Sequence, residues 1–260
     1  RRSSWIRNPI DAFVLARLEQ EGIEPSPEAP PEILHRRLSL DLNGLSPSPQ
    51  ESRNFRKAYA TQPEQALRQV VKELLLSPRY GEHMAVSWLD LARYADTSGF
   101  QGDPYRSMWR WRDYVIQSFN QNKHFDQFTV EQIAGDLLPN PTVEQRLATG
   151  FHRNHRFNTE FGSINDEWLL EYAVDRVETT GAAWLGLTLG CARCHDHKFD
   201  PVSQREFYQL AAFFQNMPER GVFWDGITPA FAPSMRAPTP SEERRQRELT
   251  AALKQQQARL

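Results

Sequence analysis

The pentapeptide Cys191-Ala192-Arg193-Cys194-His195 determines how the rest of the chain is interpreted. It holds both cysteines of the 260 residues, three positions apart, with a histidine directly after the second. This is the C-x-x-C-H pattern of covalent haem attachment. One turn of helix brings two such thiols alongside the vinyl groups of a porphyrin, and the next residue directs its imidazole at the iron. The pattern therefore predicts thioether bonds from Cys191 and Cys194, with His195 as the proximal iron ligand.

Three other chemistries use the same residue types. A redox-active dithiol normally follows a strand at a helix N-terminus, and no strand pattern precedes Cys191. A zinc site needs four ligands; His197 could join His195 and the two thiols, but its spacing from His195 is not that of a zinc finger. A disulfide across three residues is strained and closes almost no loop. Haem attachment is therefore the preferred hypothesis.

Helix starts marked by proline recur along the chain. Asn8-Pro9 has an N-cap residue followed by proline, and apolar residues at helical spacing continue until Gly22. Ser48-Pro49 and Ser77-Pro78 repeat this signature. Beyond the first, helices are expected at 33–43, 49–60, 63–76, 79–95, 104–121, 127–137, 142–150, 166–186 and 203–215. No stretch alternates with a period of two, so the predicted fold is all-α, an irregular multi-helix domain around one covalently bound haem.

The last part of the chain differs in composition from the rest. Residues 228–240 contain four prolines, and residues 241–260 are rich in Glu, Arg, Gln, Ala and Leu. We expect a helical c-type cytochrome domain over 1–225 and a proline-rich linker over 226–240. The final segment, 241–260, is expected to begin a charged helix or coiled coil that continues in a longer protein.

Charge and hydropathy exclude some classes of partner. A formal net charge of −2 gives no electrostatic footprint for nucleic acid. No apolar run is long enough to span a bilayer, so we expect no transmembrane segment. Because haem thioether bonds are formed outside the cytoplasm, the motif predicts a periplasmic or otherwise extracytoplasmic location. The expected partner is a redox protein or a neighbouring domain of the same polypeptide.

The sixth ligand of the iron is not fixed by the motif. His197 follows His195 too closely to reach the opposite face of the ring. The polar segment 151–158 carries two histidines between expected helices, and His155 is the candidate taken from it. Met217 is the runner-up, because a thioether ligand raises the potential of electron carriers. An ordinary hydrogen-bonded loop histidine is the alternative for His155.

Arginines near the motif are candidates for binding the haem propionates. By sequence proximity they are Arg153, Arg156, Arg176 and Arg193, and Asp175 with Arg176 is a further possibility for propionate or substrate. The competing interpretation of each is a structural ion pair.

Two clusters upstream are interpreted as structural. Asp90, Arg93 and Asp96 recur every three residues on an expected helix, and we favour a semi-buried ion network with Arg110, Arg112 or Asp113. Trp109 and Trp111 flank Arg110, and core packing is favoured for them over contact with a porphyrin.

Several segments together carry a family resemblance. They are Ala183–Pro201 with Ser203–Tyr208, Trp88–Asp96, Phe125–Thr129, Ala134–Pro139 and Val174–Thr180. These resemble the cytochrome domain of large planctomycete-type secreted proteins of otherwise unknown function, over roughly residues 8 to 220. The resemblance implies a c-type haem and an extracytoplasmic location. It implies no particular reaction.

Two main functions compete on this basis. The first is a mono-haem domain that relays electrons within or from a larger protein, which requires six-coordinate iron and an exposed haem edge. The second is a haem enzyme acting on peroxide or on an organic substrate such as a polysaccharide component. The enzyme needs an acid/base group over an open iron site, for which His155 or an arginine of the same loop is the candidate. A module in which haem is mainly structural is a third alternative. We favour electron transfer.

Overall fold

Helices provide the regular structure of the chain, which a computed structural model describes over residues 5–223 and 233–257. Within these ranges there are eleven α-helices and no β-strand, and the isolated bridges there join Thr97 to Tyr105 and Asn158 to Val222. The all-α prediction is therefore confirmed. The chain divides into two compact units, Arg1–Leu75 and Leu76–Leu260.

The first unit is built from four helices. They are α1 (Pro9–Gln20), α2 (Pro31–Asn43), α3 (Pro49–Thr61) and α4 (Pro63–Leu76). Phe55 of α3 packs on Ala66 and Val70 of α4, and the ring of His35 stacks on Phe55 at 4.8 Å between ring centroids. This small apolar core holds the unit together.

The predicted helix starts are confirmed by their capping geometry. The side chain of Asn8 accepts hydrogen bonds from the backbone N–H groups of Ile10 and Asp11, ahead of Pro9. Ser48 and Ser77 cap α3 and the first helix of the second unit in the same way. A cap supplies an acceptor to N–H groups that have no partner within the helix, and proline at N1 loses no hydrogen bond.

The second unit contains the remaining helices. They are α5 (Pro78–Leu91), α6 (Trp109–Asn120), α7 (Phe125–Ala134), α8 (Val143–Ala148), α9 (Asn165–Thr180), α10 (Gln204–Ala212) and α11 (Pro240–Gln257). Short 3₁₀ turns lie at Gly135–Leu137, Thr149–Arg153 and Leu189–Arg193, and a π-helical turn lies at Gly181–Leu185.

The loop between α5 and α6 is longer than the sequence predicts. Helix α5 ends at Leu91, four residues early, because Arg93 adopts a left-handed conformation with φ of 57°. The backbone N–H of Arg106 donates to the carbonyl of Asp96, which keeps that segment out of α6. Arg93 and Asp96 are thus not helical, and the predicted charged stripe on one helix is wrong.

The ion pairs of this region also differ from the predicted network. Arg93 pairs with Asp175 of α9, and Arg112 pairs with its neighbour Asp113. Asp96 instead accepts hydrogen bonds from the Tyr94 hydroxyl and the backbone N–H of Met108. The three-residue spacing gave the wrong ion-pair partners, because the segment after Leu91 is a loop and its conformation determines which charged side chains come together.

The core of the second unit is divided into apolar clusters, two of which position the site. One is aromatic and includes Trp111 and Phe151; the Trp111 indole N–H donates to the carbonyl of Ala148, so the core interpretation of this residue is confirmed. The second cluster contains Val174 and Val177 of α9, Leu189, Ala192, Phe207 and Ala211. It fixes the turn that carries the cysteine motif between α9 and α10.

The C-terminal part lies partly outside the described residues. The predicted boundary at 225/226 falls in 224–232, which the structure does not describe, and residues 233–239 form no helix. Helix α11 covers most of the predicted charged segment, and its described side chains are all solvent-accessible. None of the helices in 5–223 and 233–257 combines the length and apolar character needed to cross a membrane.

Candidate functional site

The cysteine motif forms a tight turn at the surface of the second unit. Residues Leu189–Arg193 are a 3₁₀ helix, and the N–H groups of Cys194 and His195 both donate to the carbonyl of Cys191, at 3.3 and 3.4 Å. Both thiols are free and exposed, and His195 is exposed as well. The turn therefore presents two free thiols and an imidazole at the protein surface, accessible to an external group.

The backbone of the motif is held in place by α10. The carbonyl of Arg193 accepts hydrogen bonds from the Gln204 side chain and the Tyr208 hydroxyl, both at 3.1 Å. Asp196 accepts the backbone N–H of Gln204 at 2.8 Å. Ala192, inside the motif, is fully buried against α9 and α10. The turn is thus anchored below while its functional side chains stay accessible.

The tautomer of His195 is set by a backbone contact. Its Nδ1 lies 2.8 Å from the carbonyl oxygen of Asp196. Because a carbonyl can only accept, Nδ1 carries the ring proton and the lone pair resides on Nε2. A hydrogen bond from Nδ1–H to a carbonyl is the common arrangement in metal-binding histidines, since it orients the ring and raises its basicity.

His197 shapes the loop that follows the motif. Its Nδ1 accepts the backbone N–H groups of Phe199 and Asp200, at 3.3 and 2.9 Å. The lone pair of Nδ1 is thus occupied by the backbone of this loop. In residues 5–223 and 233–257 no group of three or more His, Cys, Asp or Glu side chains is arranged to hold a metal ion.

Arg193, a predicted propionate residue, forms a half-exposed ion pair. Its guanidinium binds both carboxylate oxygens of Glu171 on α9, and the two side chains are 34% and 24% exposed. The positive charge of Arg193 thus remains accessible beside the two cysteines.

Of the other predicted propionate residues, Arg156 is exposed and lies over the rings of Phe100 and Trp168, whereas Arg153 and Arg176 belong to a buried ion cluster. Glu219 accepts from Arg176 at 2.5 and 2.8 Å and from Arg153 at 2.5 Å, while Arg176 also contacts His155. We call these four residues the Glu219 cluster. Burial by itself raises the pKa of Glu219, but the hydrogen bonds and the positive charge of Arg176 outweigh it and hold that pKa well below its usual range.

His155 is fully engaged inside the Glu219 cluster. Its Nε2 lies 2.6 Å from Nη2 of Arg176, and its Nδ1 lies 2.9 Å from the carbonyl oxygen of Arg156. The ring packs against Phe157 and Tyr172 and is 1% exposed. Burial lowers the pKa of His155 to about 3, so the imidazole is neutral at physiological pH.

His152 is a second buried histidine in the same segment. Its ring centroid lies 4.9 Å from that of Phe214 and 5.2 Å from that of Phe151, and the residue is 5% exposed. Neither ring nitrogen has a hydrogen-bond partner among the described residues. Burial, with the nearby charges of Arg176 and Arg93, lowers its pKa to about 3. The sequence places both histidines in one segment but gives no signal that separates their surroundings.

Two further residues of this region, Glu219 and Arg106, were not predicted from the sequence. Glu219 pairs with residues 43 and 66 positions away, and no spacing pattern marks such a contact. Arg106 is buried, donates to the carbonyl of His155 at 2.8 Å and lies over the Phe157 ring. Met217, the alternative sixth ligand, neighbours the cluster through its carbonyl, which accepts the N–H of Glu219 at 2.8 Å.

Comparisons with known proteins identify one family. The PSCyt2 family model, described as a protein of unknown function (DUF1549), matches residues 9–219. No curated protein matches the chain. No solved structure matches it either. The matched range includes both the cysteine motif and Glu219.

Proposed function

Because this chain belongs to the PSCyt2 family (DUF1549), the planctomycete-type family that its sequence resembles, we propose one function for the whole domain. The proposed function is that of a c-type cytochrome domain, which holds one covalent haem and relays electrons within or from a larger extracytoplasmic protein. The observation that carries the proposal is the surface turn with two free, exposed thiols followed by a histidine whose lone pair resides on Nε2. Its partner is a redox protein or a neighbouring domain of the same polypeptide.

The donor set of the turn fits a covalent haem. Thioether formation needs reduced, accessible sulfurs, and both Cys191 and Cys194 meet this condition. The iron needs a neutral imidazole that is held in one tautomer, and the carbonyl of Asp196 holds His195 in it. When bound, haem supplies reversible one-electron chemistry at its iron.

Different residues of the chain bind the haem, hold the turn in position and supply positive charge. Cys191 and Cys194 tether it, and His195 is the proximal ligand. Gln204 and Tyr208 keep the turn from shifting by binding the carbonyl of Arg193. Of the predicted propionate residues, Arg193 lies within the motif itself and its ion pair with Glu171 is partly exposed, whereas Arg153 and Arg176 pair with Glu219 in a buried setting.

Electron transfer is favoured over catalysis for two reasons. The motif is exposed, so a group attached there keeps an edge open to a partner protein. The enzyme alternative requires an acid/base group such as His155 facing the reacting atoms. Both nitrogens of His155 are instead occupied by Arg176 and the carbonyl of Arg156.

Expression with and without cytochrome maturation machinery tests the proposal. With the machinery, the protein should keep haem after denaturation and acid-acetone extraction and give the spectrum of low-spin iron. The Cys191→Ala/Cys194→Ala double variant, produced in the same way, should lose haem on extraction. A metal-free protein with two free thiols, recovered despite the machinery, contradicts the proposal. A ferric protein that is high-spin and binds cyanide readily favours the enzyme alternative.

A further inference from the structure

His152 combines deep burial with a ring that has no hydrogen-bond partner. A neutral imidazole carries one N–H donor and one lone pair, and both lack a protein partner among the described residues. Buried polar groups in native proteins are nearly always satisfied, since an unmade hydrogen bond costs about 1–3 kcal/mol. The ring therefore has the free lone pair of a potential ligand in an environment that keeps it neutral.

The position of His152 is fixed by its backbone. It lies in the 3₁₀ turn Thr149–Arg153, and its carbonyl accepts Nε of Arg176 at 2.9 Å. The ring is wedged between the aromatic side chains of Phe151 and Phe214. An imidazole held this way loses little rotational freedom on binding a metal, which favours ligation.

Side-chain packing connects His152 to the cysteine motif. Phe214, which contacts the His152 ring, packs on the apolar cluster that contains Leu189 and Ala192. Leu189 and Ala192 belong to the turn that presents Cys191. A single aromatic side chain, that of Phe214, thus separates the His152 ring from the apolar cluster that supports the turn of the motif.

His155 offers the opposite environment. Its Nε2 lone pair already accepts from Arg176, so binding iron through that nitrogen requires the loss of a charge-assisted hydrogen bond in a buried cluster. Its Nδ1–H is bonded to the carbonyl of Arg156. We infer that His152, rather than His155, supplies the second axial ligand of the haem, an inference that rests on the proposed function.

Spin state of the ferric holoprotein distinguishes the two histidines. Electron paramagnetic resonance and absorption spectra of the unmodified holoprotein should show low-spin iron. His152→Gly should convert the spectrum to high-spin, and added imidazole should restore the low-spin form by occupying the vacated space. The matched variant His155→Gly should remain low-spin. Circular dichroism of each variant checks that the helices persist.

A second variant keeps the inference testable if His152→Gly does not fold. His152→Met preserves side-chain volume and replaces an imidazole with a thioether, which should raise the reduction potential. An unchanged potential overturns the inference, as does low-spin iron that persists in His152→Gly or is lost in His155→Gly. High-spin iron in the unmodified protein overturns it too. In all these outcomes covalent haem is retained, whereas a protein without haem overturns the proposed function itself.

Discussion

Nη2 of Arg176 lies 2.6 Å from Nε2 of His155 in the interior of the second unit. Because a guanidinium can only donate, Nε2 must accept, and the ring proton is then on Nδ1. Nδ1 lies 2.9 Å from the carbonyl of Arg156, as this tautomer requires. His155 is therefore a neutral acceptor for a buried arginine, and Glu219 supplies the negative charge that Arg176 and Arg153 need.

Glu219→Gln should strongly destabilise the protein. The amide keeps the shape of the side chain but removes the negative charge to which Arg153 and Arg176 are bound in a buried site. Breaking a buried pair in this way typically costs about 3–5 kcal/mol. Urea unfolding followed by tryptophan fluorescence measures the loss, and six of the seven tryptophans lie at residue 88 or beyond, in the second unit.

Glu171→Gln is the matched control for that experiment. It removes the same charge from the pair with Arg193, whose side chains are partly exposed. Exposed pairs contribute about 0–1 kcal/mol, so this variant should differ little from the unmodified protein. Equal losses for the two variants contradict the view that the Glu219 cluster is the stronger electrostatic anchor.

Stability should fall as the solution is acidified from about pH 6.5 towards pH 3. Burial lowers the pKa values of His152 and His155 to about 3 in the folded protein, so the unfolded chain binds more protons across this interval. Stability therefore rises with pH in this window, by up to about 1.4 kcal/mol per pH unit for each histidine. The lowered pKa of Glu219 adds a further loss below about pH 4.5.

The pH dependence is best measured without haem, in the Cys191→Ala/Cys194→Ala protein. The slope of unfolding free energy against pH, between pH 6 and 4, should correspond to the uptake of about two protons on unfolding from these histidines. His155→Gln keeps an acceptor for Arg176 and should reduce the slope by about one proton. A slope that does not change in this variant shows that His155 is not the group that titrates.

Arg93→Ala should be less stable than Arg93→Gly. Both variants lose the ion pair with Asp175, so their difference isolates the backbone. At a φ of 57° a Cβ costs about 1 kcal/mol that glycine does not incur. Denaturant midpoints of the two variants provide the comparison. Equal midpoints, or a more stable alanine variant, argue against a left-handed residue at the end of α5.

Local chemistry explains which parts of the fold could be predicted from the sequence. Asn8, Ser48 and Ser77 each cap a helix through hydrogen bonds within four residues, so short motifs were sufficient. The end of α5 depends on the conformation of Arg93, whose side chain pairs with a residue 82 positions away. Such long-range contacts leave no periodic signal, and the helix was therefore predicted too long.

The candidate site shows the same contrast between local motifs, which the sequence reveals, and long-range contacts, which it does not. The motif around Cys191 is visible because its chemistry requires neighbouring residues. The Glu219 cluster is not, because its members come from three separated segments of the chain. Sequence proximity could suggest Arg153 and Arg176 as anion-binding residues, but only the fold shows that Glu219 already binds them.

Gln204 and Tyr208 of α10 together form a clamp on the motif, and this clamp predicts how readily the turn of the motif opens. Gln204 and Tyr208 donate to the same carbonyl, that of Arg193, so removing one donor leaves the oxygen satisfied by the other. Tyr208→Phe and Gln204→Ala should each have a small effect, whereas the double variant leaves that carbonyl without either donor. A net hydrogen bond contributes about 1 kcal/mol, so opening of the turn should increase about five-fold or more.

Hydrogen–deuterium exchange of the peptide that contains residues 191–196 measures this opening. The amides of Cys194 and His195, which donate to the carbonyl of Cys191, should exchange faster in the double variant than in either single variant. Peptides from α5 and α6 serve as the internal control and should be unchanged, because the clamp does not involve them. If exchange at the motif is the same in all four proteins, its rigidity comes from the buried Ala192 and its apolar neighbours, and α10 contributes through packing alone.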